Sequence, residues 1–179
     1  GGFCRTFADE WRLESIAAQL GESFETLNVG LRPYACAGSV CTSVDAVKSI
    51  QEAHALDPSE ITKVVITCNE SIALHCGWEY TPDTVITAQM NIPYGVAVTL
   101  LEGDASVEQY TETKIRDPKV LEMVAKVHVV HDRSLDAKGS SHAYYVHALI
   151  TTRSGGQYSH EVFWAKGTPA NPLSDAELN

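Results

Sequence analysis

The strongest constraint on this chain is one proline. Residues 80–103 read "YTPDTVITAQMNIPYGVAVTLLEG", apolar and long enough for a single helix, with Pro93 beyond its midpoint. Proline has no N–H to give and its ring clashes with the carbonyl four residues back, so Pro93 cannot lie deep in a helix. The segment therefore divides. Thr81-Pro82-Asp83 predicts the first start: a cap, a proline at the first helical position and an acid in the first turn. Asn91 caps the restart, Pro93 falls in its first turn, and Gly103 closes it. Val96, Leu100 and Leu101 form its expected buried stripe.

The same local chemistry divides the rest. Trp11, Ile16 and Leu20 recur at helical spacing over residues 9–20, with Gly21 as a stop. Residues 24–35 read as a strand running into Arg32-Pro33, and a residue before proline favours extended geometry. Gly38-Ser39 opens a helix through residue 56, with Val40, Val44, Val47 and Ile50 inward. "ITKVVITC" (61–68) is β-branched and fits a buried strand. A short helix is expected over 117–126, then strands over 127–132, 142–152 and 158–166. Gly155-Gly156 forms the turn between the last two. The fold class is α+β: a small, mainly antiparallel sheet with helices packed on one face.

With 179 residues the chain is one domain in size. Its 13 basic and 23 acidic residues give a net charge of −10, without the basic stripe that nucleic acid requires. No apolar run approaches the roughly 18 residues of a membrane helix. Five cysteines at irregular spacing suit reduced, buried thiols in a cytoplasmic setting better than a disulfide framework. Near the end, Ser174, Asp175 and Glu177 form a capping-box pattern for a helix with one turn of chain left. We read the chain as part of a longer polypeptide.

Chemistry is sparse. The cysteines show no CxxC pairs and the seven histidines no HExxH, so no metal site is expected, and Cys36 and Cys41 read as packing residues. Anion recognition remains. Arg32 ends an extended stretch just before a Gly-Ser helix start, where a guanidinium fork and free N–H groups could hold a carboxylate. Tyr94 lies in the first turn of the restarted helix beside Gly95, which would let a ligand approach the backbone. A phenol there can donate to a developing anion.

At these stretches the chain resembles a known family. "LRPYACAGSVCTSVDA" is similar to the K-P-Y-P-C-C-G-H-T-H-x-A-I-D-A segment of the MmgE/PrpD family, and "AQMNIPYGVAVTLLEG" to its A-x-F-S-x-P-Y-A-V-A-x-x-L-L-D-G segment. "DPKVLEMVAKVHVVHD" and "KGTPANPLSDAEL" follow in the family's order. The family includes 2-methylcitrate dehydratase, cis-aconitate decarboxylase and iminodisuccinate epimerase.

The resemblance implies the smaller α+β lid of a two-domain enzyme, residues 1–179, without the preceding helical domain or the last helices. It implies a metal- and cofactor-independent lyase or isomerase of di- or tricarboxylic acids, working as a homodimer with the helical domain as the lid's partner. Tyr94 matches the family's catalytic tyrosine. Arg32 stands where the family usually has lysine; arginine stays charged and serves as a clamp. Ser39, like Ala37 and Cys41, occupies a place where members carry Cys or His, and is expected with Arg32 to bind substrate. A second reading is a non-catalytic lid serving polycarboxylate binding or oligomerisation.

Overall fold

The computed structural model describes residues 2–178, with the side chains of residues 140 and 141 outside the description. The segment divides at Pro93 as expected. Helix α4 (Val85–Gln89) stops, and α5 (Ile92–Glu102) restarts with Pro93 in its first turn. Asn91 caps it: Oδ1 accepts from the Tyr94 N–H at 2.9 Å while Nδ2 donates to Trp78 O at 2.8 Å. Gly103 ends it at φ +80°. Of the expected stripe Val96 and Leu100 are buried and Leu101 only in part, while the buried run is wider than the sequence suggested, from Ile92 through Leu100. The cap of α4 is Thr84, which accepts from the Thr87 N–H at 3.1 Å; Thr81-Pro82-Asp83 forms a turn ahead of it.

Four strands form one sheet in the order β2-β1-β3-β4. They are β1 (Ile61–Cys68), β2 (Val127–His131), β3 (Val146–Thr152) and β4 (Gln157–Val162). β3 pairs antiparallel with both β1 and β4, while β1 and β2 run parallel, so the sheet is mixed. A parallel pair needs a long crossover. Here it contains α3 (Glu70–Cys76), α4, α5 and α6 (Pro118–Val124). The Gly155-Gly156 turn closes β3 on β4, with Gly155 at φ +83°.

Burial alternates strictly along β3, so one face of the sheet is covered. Helix α2 (Gly38–His54) packs on β3 and β4 with Val40, Val44, Val47 and Ile50 buried, and α5 packs between α2 and α6. Burying each such side chain is worth roughly 1.5–3 kcal/mol. α7 (Arg133–Asp136) follows β2, and strand β3 starts only at Val146, because residues 139–142 form a 3₁₀ turn.

The first thirty residues depart from expectation. In place of a helix over 9–20 there is α1 (Phe3–Phe7) and a 3₁₀ turn at Leu13–Ile16. In place of a strand over 24–35 there is a 3₁₀ turn at Glu25–Asn28 followed by extended chain. Trp11, Ile16 and Leu20 are exposed. An isolated helix of this length is marginal without a surface to bury its apolar face, and none of the described elements offers one.

At the far end α8 (Asp175–Leu178) carries half of the expected capping box. Glu177 Oε2 accepts from the Ser174 N–H at 2.8 Å and from its hydroxyl at 2.6 Å, and Lys166 Nζ lies 3.0 Å away. The Ser174 hydroxyl donates to the carboxylate and does not accept from the backbone. These contacts, the Ser174 hydroxyl first, hold Glu177 down at about 2 from the usual 4.5. A depressed carboxylate supports the folded form fully above its unfolded value and loses that support as pH falls through the folded one. The box should therefore loosen between about pH 4.5 and pH 2. A carboxyl-carbon NMR titration of Glu177 should find its midpoint near 2, and a midpoint near 4.5 would mean the box is not formed.

Candidate functional site

Arg32 leaves the extended chain just before Pro33 and lies against the N-terminus of α2. Its Nη1 donates to Cys36 O at 3.4 Å, and Nη2 comes within contact range of a Cβ built on Gly38, the first residue of the helix. The side chain is exposed and makes no ion pair among the described residues. Ala37 stands at the N-cap without a side-chain cap; the Val40 N–H donates to Ala37 O at 2.8 Å, and the Gly38 and Ser39 N–H groups are left for other acceptors. A guanidinium at the positive end of a helix dipole is unfavourable alone, and an anion between them removes the repulsion.

Two hollows flank Arg32. One of about 240 Å³ is lined by Leu31, Arg32, Gly38, Cys41, Tyr144 and Lys166 among others. The other, of about 330 Å³, includes Arg32, Cys36, Gln89 and Met90 in its wall. In a chain of net charge −10, the first gathers two cations at one helix end. Lys166 is held by Glu177, and its N–H donates to Asp45 Oδ2 at 2.8 Å. Asp45 Oδ1 in turn accepts from the Tyr34 hydroxyl at 2.7 Å, which ties α2 to both chain segments beside the hollow.

Behind Arg32 lie two thiols. Cys36 and Cys41 are buried with sulfurs 3.8 Å apart. The Cys36 thiol lowers Cys41 below its ordinary value, with Arg32 adding to the effect against burial, and Cys36 is raised correspondingly. The Tyr110 hydroxyl, buried with no hydrogen-bond partner among the described residues, faces Cys36.

The other two expected site residues stand elsewhere. Tyr94 is fully buried, its hydroxyl donating to Gln109 O at 2.5 Å and its ring between Tyr80 and Tyr110. Burial raises its pKa above the phenol range. Ser39 lines neither hollow; its hydroxyl acts on Cys76, opposing the rise that burial gives that thiol. Only its backbone belongs to the first turn beside Arg32. Gly95 is not a ligand approach: a Cβ there would meet Val40 Cγ1 at 2.6 Å, so this glycine lets α2 and α5 close on each other.

Sequence reasoning missed Cys41, Tyr144 and Lys166 as wall residues. Lys166 carried a signal, since the Gly167-Thr168-Pro169 turn after it fixes a chain reversal. Tyr144 carried none.

Fold and hollow together define an α+β domain with an exposed guanidinium beside a helix N-terminus that has no side-chain cap. The chain belongs to the MmgE/PrpD family: residues 34–179 match the model of the MmgE/PrpD C-terminal domain. It is 27% identical over 155 residues to cis-aconitate decarboxylase from Aspergillus terreus, covering 78% of this chain and 32% of that protein. It is 24% identical over 191 residues to the cis-aconitate decarboxylase-like protein oryM of Aspergillus oryzae, covering 99% of this chain and 39% of that protein. The chain thus spans between about a third and two fifths of the length of the curated relatives it matches. None of the helices among the described residues is long and apolar enough to cross a membrane.

Proposed function

We propose that this chain is the lid wall of the substrate cleft of a cofactor-independent lyase acting on di- or tricarboxylic acids, with decarboxylation beside a carboxylate as the favoured reaction. One observation carries the reading: an exposed arginine, without an acidic partner among the described residues, resting on the uncapped N-terminus of α2. The names of the relatives support the reaction class. Dehydration or epimerisation of similar acids would make the same demands.

Arg32 forks one carboxylate, and the Gly38 and Ser39 N–H groups receive the charge on the other side. Losing CO₂ leaves carbanion-like charge next to a second carboxylate, which fixed donors in a closed cleft stabilise. Arginine has no proton to give at neutral pH, so the proton must come from another group. Tyr94 is the proposed donor, and its raised pKa keeps it protonated. For this its hydroxyl must exchange Gln109 O for the substrate. The missing helical domain supplies the opposite wall, in a cytoplasmic homodimer.

The test is turnover of cis-aconitate and citrate-like acids by the full-length protein that carries this chain. Tyr94→Phe should cut kcat by roughly 10²–10⁴-fold with affinity kept. It should also lower stability by about 1–3 kcal/mol in urea unfolding, because the Gln109 carbonyl loses its donor. Full turnover in Tyr94→Phe would reject Tyr94 as the acid. A second reading, binding without catalysis, is favoured by the contact that occupies the Tyr94 hydroxyl. It predicts polycarboxylate binding by calorimetry with no turnover in the wild-type protein.

A further inference from the structure

The geometry points to a modification site that the proposed reaction does not use: Cys36 and Cys41 are an oxidisable dithiol that a peroxide converts to a disulfide beneath the Arg32 hollow. Their sulfurs are 3.8 Å apart on opposite sides of the turn into α2, so closing to the roughly 2.05 Å of a disulfide requires a small shift and no unfolding. Each residue, though buried, borders a hollow: Cys41 the one with Tyr144 and Lys166, Cys36 the one with Gln89 and Met90. Both hollows are open to a molecule the size of hydrogen peroxide.

The chemistry divides between the two. Cys41, in hydrogen-bond contact with the Cys36 thiol and near the Arg32 guanidinium, is the more thiolate-like member and the attacking one. Its sulfur takes one peroxide oxygen as the O–O bond breaks, giving a sulfenic acid and releasing the other oxygen as water. Cys36, protonated and 3.8 Å away, then attacks that sulfur; the S–S bond forms, the S–O bond breaks, and a second water leaves. Two thiols lose two electrons in all and one peroxide is reduced to two waters. The Tyr110 hydroxyl faces Cys36 and can donate to its sulfur as the thiol proton departs. Cys68 provides an internal contrast, since burial pushes its thiol up to about 12, with Cys76 and Asp136 adding to the rise. Closing the pair also draws on the Cys36 carbonyl that Arg32 holds.

Trypsin tests this directly, because residues 13–48 form a peptide containing Cys36 and Cys41 as its only cysteines; the Arg32-Pro33 bond resists cleavage. After mild hydrogen peroxide treatment of the native protein, that peptide should be about 2 Da lighter, resist alkylation, and revert with dithiothreitol. In Cys36→Ser, Cys41 should instead become labelled by dimedone, the trap for sulfenic acid. Either of two results on the wild-type protein would overturn the inference. One is both thiols staying alkylatable while Cys4 oxidises. The other is Cys41 reaching sulfinic acid without the 2 Da loss, about 32 Da heavier. The wild-type map decides even if the serine variant fails to fold.

Discussion

In the full-length protein, Arg32→Ala should weaken polycarboxylate binding about a hundredfold while leaving the fold intact. The magnitude follows from the geometry of the fork. A charge-assisted hydrogen bond contributes about 1.5–3 kcal/mol, so losing a two-pronged carboxylate grip removes about 3 kcal/mol, a factor of roughly 100 in Kd. The intact fold follows from exposure. Arg32 makes one long contact, to Cys36 O at 3.4 Å, and has no ion pair among the described residues to lose. Its removal should shift stability by less than about 0.5 kcal/mol. Arg32→Lys should fall between, keeping the charge but losing the planar fork. Calorimetry with citrate and a urea unfolding curve on each variant separate the two effects. Equal citrate affinity in Arg32→Ala and wild type would remove the carboxylate clamp, and with it the lid-wall reading.

What could be read in the sequence was what short-range chemistry decides. Asn91, Pro93 and Gly103 fixed α5 because a cap, a missing N–H and a left-handed C-terminal residue all act within one turn. Gly155-Gly156 fixed the β3–β4 turn for the same reason. The parallel pairing of β1 with β2 was not legible, since Val64 meets Val127 only through a crossover of several helices. Trp11, Ile16 and Leu20 misled because periodicity shows that a face is apolar without showing that anything covers it. The place of Arg32 at the end of the extended chain was legible from Pro33. The Cys36–Cys41 contact was not, because sulfurs five residues apart meet only when the intervening turn enters a helix. Gly95 was read as space for a ligand and proved to be space for Val40, a distinction that only packing makes.

The hollow depends as much on a glycine as on the arginine, and Gly167→Ala should show it. Gly167 has φ +86°; its N–H donates to Asn171 O at 2.8 Å and its carbonyl accepts from the Leu31 N–H at 2.8 Å. That last bond anchors the residue just before Arg32. A Cβ on Gly167 would lie 1.8 Å from Leu31 O, a collision with backbone that no rotamer relieves. Two costs therefore combine. Left-handed geometry costs alanine about 1–2 kcal/mol, and the anchoring hydrogen bond is worth about 1 kcal/mol. The cheapest relief is for the extended chain at Leu31 to swing away, since Leu31 is exposed and little else holds it. Arg32 would move with it. Gly155→Ala provides the control: Gly155 has nearly the same φ, +83°, but nothing lies within 4 Å of its Cβ position and it belongs to the β3–β4 turn. Both variants should lose the strain energy, about 1–2 kcal/mol in urea unfolding. Only Gly167→Ala should also lose citrate affinity, by at least about tenfold, or 1.4 kcal/mol. If the two variants bound citrate alike, the Leu31–Gly167 anchor would have no part in placing Arg32.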